Sequence, residues 1–146
     1  MGSLINNRAL TANKLLGLPL PILLCLKRID FNTAIASAGF QTVSLNLPLA
    51  KALSEKTDKV IAMSVTSAIM GLLPKSEAIY LTDYEMLFDP RYCLDVIRLF
   101  CEISRYNRLI VQWCGTVIDD ALTYAEPGYD DYRKYRISDY EIACVI

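Results

Sequence analysis

Residues 21–26 read Pro-Ile-Leu-Leu-Cys-Leu (PILLCL), six positions without a charge and without polar alternation. A strand that is apolar on both faces is buried on both, as in a parallel sheet covered by helices. Nearly all-apolar runs recur at 78–81 (AIYL), 109–113 (LIVQW) and 141–146 (EIACVI), and residues 41–46 (QTVSLN) add a strand with partial alternation. Between these runs lie helical patterns. Residues 32–38 close at Gly39, and a helix opens at Leu49 behind Pro48. Residues 60–73 stop at Pro74 and place Ile61, Val65, Ala68, Ile69 and Leu72 at helical spacing. Residues 93–103 set Leu94, Ile97, Phe100 and Cys101 on one side, with Arg98, Glu102 and Arg105 on another. Strand and helix in alternation predict a three-layer α/β domain over residues 1–146, with a mostly parallel sheet of about five strands flanked by helices.

The composition agrees with a packed domain. The chain has 146 residues, 53% of them hydrophobic, which excludes a disordered tail, and its five cysteines are too few and too odd in number for a disulfide scaffold. It has no histidine, so Ser-His and Cys-His nucleophilic catalysis are excluded, and with no CxxC pair a zinc site loses its ligands. Cys25, Cys114 and Cys144 sit in apolar runs and read as small buried hydrophobes of a reducing compartment. Residues 15–26 (LLGLPLPILLCL) follow Arg8 and Lys14, the outline of a signal peptide. Two prolines, the missing cleavage site and a length too short for a membrane helix favour a buried core strand in a cytoplasmic protein. The net charge of −1 hides a split, since residues 1–76 carry +5 and residues 77–146 carry −6.

Ligands of open α/β sheets bind beyond the carboxyl ends of the strands. After the first apolar run come Lys27, Arg28, Asn32 and Thr33; after the third, Thr82, Asp83, Tyr84 and Glu85; after the fourth, Cys114, Gly115 and Thr116. A phosphate-binding loop needs glycines that let backbone N–H groups approach the phosphates, followed by Lys and Ser/Thr. If such a loop ended at Thr33, Leu26 and Phe31 would occupy the glycine positions and Asn32 the lysine position; no GxxxxGK[ST] occurs in the chain. Lys27 and Arg28 read as an anion-attracting pair or, more plainly, a solvated charged turn. Asp83 and Glu85 read as candidate magnesium-side or catalytic carboxylates, or as acids that merely end a strand. Residues 122–140 mix five tyrosines with cations and acids, which suits an interaction loop or rings packed on the core with wet hydroxyls. Trp113, inside an apolar run, reads as core.

Three stretches also carry a family resemblance: residues 44–53 (SLNLPLAKAL), 85–90 (EMLFDP) and 122–133 (LTYAEPGYDDYR). They are similar to the NLNL-type strand and helix, the E-x-L-F-D-P and the L-T-Y-A-E-P-G-x-x-x-Y-R of the small P-loop protein of type-3 BREX bacteriophage-exclusion systems (BrxF). With their spacing they span residues 40–146; residues 1–40 match poorly. The resemblance implies a P-loop-like fold and a cytoplasmic, ATPase-like accessory subunit of antiviral defence. Such a subunit would work beside a large ATPase, a DNA methyltransferase and an alkaline-phosphatase-like protein. Two departures stand out. The family's phosphate loop is missing, and its strand-end acid falls on Thr82, with Asp83 one place late.

The expectation is therefore a degenerate, non-catalytic P-loop-like subunit that acts through protein–protein assembly, with Tyr124, Glu126, Tyr129, Tyr132 and Arg133 as its interaction loop. No cofactor and no membrane are expected, DNA is met only indirectly, and a homo-oligomer stays open. An alternative is an ATPase with an atypical loop, in which Lys27, Arg28, Asn32 and Thr33 hold ATP and Asp83 or Glu85 serves Mg. The other is DNA binding by the basic first half, which the net negative charge opposes. The charge split suggests that Lys27 and Arg28 face the acidic loops in a salt-bridged plug.

Overall fold

The computed structural model describes residues 1–54, 58–74 and 77–146. Six parallel strands form one sheet: β1 (Ser3–Ile5), β2 (Ile22–Leu24), β3 (Gln41–Ser44), β4 (Ala78–Thr82), β5 (Arg108–Gln112) and β9 (Ala143–Val145), in the order β1-β9-β2-β5-β4-β3. All five strands expected from the sequence lie in it. The unforeseen one is β1, a three-residue edge strand at Ser-Leu-Ile.

Register explains the layers. Successive residues of a strand point to opposite faces, and the apolar runs fill both. Leu23, Ile79, Leu81, Leu109, Val111 and Cys144 join one buried cluster with Leu49 and Leu53 of α3 (Asn46–Leu53), Val65 and Ile69 of α4 (Asp58–Leu72) and five residues of α5 (Val96–Ile103). Ile22, Leu24, Ile110, Ala143 and Val145 join a second cluster with Leu15 of α1 (Ala12–Leu16) and Phe31 and Ile35 of α2 (Ile29–Ser37). Helices thus cover both faces.

Several boundaries move for local reasons. The run at 15–26 is not one strand: Leu15 and Leu16 close α1, and only Ile22–Leu24 pair into the sheet. Helix α3 starts at Asn46 rather than Leu49, because Pro48 falls in the first turn, where a missing N–H costs nothing. Helix α5 starts at Val96, because the Asp95 side chain caps it by accepting from the Arg98 N–H. Of the spaced residues in α4, Val65 and Ile69 are buried and Ala68 packs on them, whereas Leu72 is exposed and Leu73 takes the core position. The side chain of Ile61 lies outside the described residues.

The segment expected as a tyrosine-rich loop folds instead into a three-stranded antiparallel sheet, β6 (Thr116–Ile118), β7 (Ala121–Tyr124) and β8 (Arg133–Arg136), in that order. Its Val117, Leu122, Tyr124 and Tyr135 belong to the same cluster as α5 and β5. Antiparallel pairing also separates the acids of residues 119–131, which the charge split by itself would group as one acidic loop. The turn holding Asp119 and Asp120 is at the opposite end of this small sheet from the loop 125–132 that holds Glu126, Asp130 and Asp131. They do not share one edge.

Candidate functional site

Beyond β2 the chain order runs to β3 across one side of the sheet, while beyond β5 it crosses to β9 on the other. The crevice at such a reversal is where open α/β sheets bind ligands. A cavity of about 590 Å³ opens here, within the range of small-molecule sites. Lys27 and Asn32 line it from the β2 side, Tyr80, Thr82, Asp83 and Glu85 from the β4 side. Gln112, Trp113 and Cys114, at the exit of β5, lie with them.

The acidic wall is held by neutral donors. Asp83 has a φ of +50°, a left-handed conformation that aspartate tolerates better than most residues. Its carbonyl accepts the N–H groups of Leu45 (3.1 Å) and Asn46 (2.6 Å), which fixes the exit of β3 against that of β4. The Ser44 hydroxyl donates to the Asp83 carboxylate at 2.7 Å, and the Asn46 amide donates to Glu85 at 2.7 Å while accepting from the Met86 N–H at 3.1 Å. Each carboxylate keeps one oxygen outside these hydrogen bonds. Asp83 and Glu85 are the residues that could hold a divalent cation, and among the described residues no group of three or more His, Cys, Asp and Glu gathers around one.

The floor is closed by Gln112. Its amide donates to the carbonyls of Leu24 (3.1 Å) and Leu26 (3.3 Å), and its oxygen accepts from the Tyr80 hydroxyl at 2.7 Å. Burial raises the Tyr80 hydroxyl above its ordinary pKa, so it stays a donor. Tyr84, fully buried, donates to the Gln112 carbonyl at 2.6 Å and accepts from the Cys114 N–H at 3.2 Å, clamping the β4 exit to the β5 exit. No residue-type pattern in the sequence pointed to Gln112, whereas Tyr84 stands among the residues that follow the third apolar run. Gln112 belongs to an apolar-looking segment, and only strand order brings it to the cavity.

The four expected phosphate-side residues divide. Lys27 and Asn32 reach the cavity. Arg28 does not: its guanidinium pairs with Asp30 two residues on, donates to the Asn7 carbonyl at 2.8 Å and lies 3.9 Å from the Phe31 ring centroid. That pair holds the Asp30 carboxyl below its usual pKa. Thr33 turns its hydroxyl back onto the Ile29 carbonyl at 2.9 Å, inside α2. The salt-bridged plug is not formed. Among the described residues Lys27 has no ion pair within 4.0 Å, and Asp83 and Glu85 are held by Ser44 and Asn46 instead.

The interaction loop also divides. Tyr124 stacks on Phe88 with centroids 3.8 Å apart and planes 12° apart, so it belongs to the packing. Burial, with the charges of Cys114, Asp131 and Glu85, raises its hydroxyl. Phe88 in turn lies edge-on to Trp113 of the cavity lining at 5.9 Å, so the 125–132 loop starts next to the packing that backs the cavity. Glu126 and Tyr129 are exposed, Tyr129 by 66%; Tyr132 is half-buried. Arg133 donates to the carbonyls of Asp130 (3.1 Å) and Tyr132 (2.8 Å), shaping the loop from within. Trp113 is core, as expected, and its indole N–H donates to the Thr116 carbonyl at 3.0 Å.

The thiols should react in the order the structure sets. Burial, aided by the charge of Glu85, pushes the Cys114 thiol up to about 12, and contact with Cys25 together with burial pushes Cys144 up. A thiol is protonated below its pKa and only the thiolate attacks. At pH 8, brief iodoacetamide treatment of the folded protein is expected to modify exposed Cys93 and spare Cys114 and Cys144. Labelling of Cys114 should rise only as the pH climbs towards 12. Peptide mass mapping reads this, and equal labelling of Cys93 and Cys114 at pH 8 would contradict it.

Comparison with family models, with curated proteins and with solved structures finds no match to this chain. Among the described residues, no helix is long and apolar enough to cross a membrane.

Proposed function

We propose that this protein is a P-loop-like domain that has lost nucleotide chemistry and serves as an accessory, non-catalytic subunit of a BREX-type antiphage system, acting in the cytoplasm through assembly with other proteins. The observation that carries the non-catalytic part is the link from β2 to α2. It consists of residues 25–28 alone, contains no glycine, and directs Arg28 away from the cavity. Phosphoryl transfer is almost wholly positioning and charge stabilisation, so a site without a backbone cradle has little to work with. The P-loop-like part is supported by the strand order. The exits of β2 and β4 stand two strand spacings apart, about 10 Å, with β5 between them, leaving a phosphate side and an acidic side of one crevice. The defence-system part rests on the sequence resemblance of residues 40–146.

Co-expression with the large ATPase of a type-3 BREX system, followed by purification on this chain, tests the assembly. Retention of the ATPase is expected; recovery of the chain by itself would count against the reading. A second reading keeps ATP and Mg at the site, and one observation favours it. Lys27, Asn32, Asp83 and Glu85 do line a common cavity. If Lys27→Ala leaves nucleotide affinity unchanged, that reading ends.

A further inference from the structure

We infer that the carboxyl edge of the large sheet is a docking face for a basic, arginine-bearing segment of another protein, which lies across the cavity mouth with its apolar side chains on Ile29 and Leu47. This rests on the assembly reading and adds the face and the partner's chemistry.

Ile29 and Leu47 are 85% and 79% exposed, and each stands in the first turn of the helix that follows a strand, α2 after β2 and α3 after β3. All six strands are parallel, so both helix starts lie at the same edge, on either side of the crevice. Covering a side chain of this size is worth about 1.5–3 kcal/mol. Two such residues at one sheet edge form an anchor pair.

The edge between and beside them is acidic. Asp83 and Glu85 lie on the cavity wall, and Glu126, Asp130 and Asp131 lie on the 125–132 loop that follows Tyr124, whose ring reaches Trp113 of the cavity lining through Phe88. Among the described residues none of these five carboxylates has an ion pair within 4.0 Å. Of the cations, Lys27 lines the cavity and Arg133 folds into the loop, two against five carboxylates, so negative charge is in excess. Ser44 and Asn46 fix Asp83 and Glu85 with neutral hydrogen bonds, which orient the carboxylates without cancelling their charge. A guanidinium meets such preset oxygens with strong, directional hydrogen bonds. Exposed Tyr129, at the loop tip, adds an aromatic face of the kind that guanidinium groups stack on. Apolar anchors at the flanks and uncompensated carboxylates at the centre select an amphipathic basic segment and repel nucleic acid.

Fluorescence anisotropy of the full chain with three labelled helical peptides tests this: one of leucine and arginine, one of leucine and glutamate, one of serine and arginine. The leucine–arginine peptide is expected to bind most tightly and to weaken with salt. Its Kd should rise at least about tenfold, about 1.4 kcal/mol, in D83N/E85Q and in I29S/L47S. It should not change in D119N/D120N, which alters the turn at the far end of the small sheet. Circular dichroism confirms that each variant is folded. Unchanged affinity in the first two double variants, equal loss in D119N/D120N, equal binding of the leucine–glutamate peptide, or no binding at all would overturn the proposal. Self-association of the chain abolished by I29S/L47S would overturn it as well, making the occupant a second copy. Binding of Mg-ATP would end the assembly reading while these peptide results still decide the docking face.

Discussion

Phe88→Ala is expected to destabilise the protein by about 3–5 kcal/mol, the usual cost of emptying a buried aromatic site, and to lower the thermal midpoint by on the order of 10 °C. Phe88 is 1% exposed and sits where the two sheets meet. Its ring stacks on Tyr124 of β7, lies edge-on to Trp113 at 5.9 Å and approaches Tyr84 at 6.4 Å. It therefore joins the β4 exit, the β5 exit and the small antiparallel sheet through one side chain. Tyr129→Ala removes an aromatic of similar size from the exposed loop tip and is expected to stay within about 0.5 kcal/mol of the parent protein. Urea or thermal denaturation followed by circular dichroism compares the two. Equal effects would mean that the small sheet is not packed as described.

Gly115→Ala is the second large effect. A Cβ built at Gly115 would stand 1.9 Å from the Thr123 carbonyl oxygen and 3.1 Å from the Trp113 indole nitrogen. The carbonyl is backbone of β7, paired through Thr116↔Thr123, and cannot swing aside without opening the β6–β7 ladder. Overpacking of this kind costs about 3 kcal/mol, the upper part of its normal range. Gly71→Ala, in α4, meets nothing within 4 Å and should instead stabilise by about 0.5–1 kcal/mol. Opposite signs for two Gly→Ala changes, read from thermal midpoints, are the expected outcome; a neutral Gly115→Ala would show that the chain has room to turn differently after β5.

The large sheet was legible because its strands are apolar on both faces, a signal that survives without any alignment. PILLCL, AIYL and LIVQW each hold residues for two cores, and the structure divides them by parity between the two clusters. The small sheet was not legible for the opposite reason. Its strands are three or four residues long, and β8 is Arg-Lys-Tyr-Arg, in which only Tyr135 is buried. Tertiary pairing overrides a local pattern that reads as loop.

At the site, strand-end logic correctly brought Lys27, Asp83 and Glu85 to one edge. It could not say which way a side chain turns. Arg28 is drawn off by Asp30 and the N-terminal backbone, and Thr33 by its own helix. Nor could it find Gln112, whose role follows from β5 lying between β2 and β4, a fact of topology rather than of sequence spacing.

The absence of a phosphate cradle at the β2–α2 link is tested most directly by isothermal titration of the full chain with Mg-ATP at millimolar nucleotide. No saturable heat is expected. Micromolar binding, with turnover that disappears in Asp83→Ala and Glu85→Ala, would contradict a non-catalytic domain and return the cavity to nucleotide chemistry.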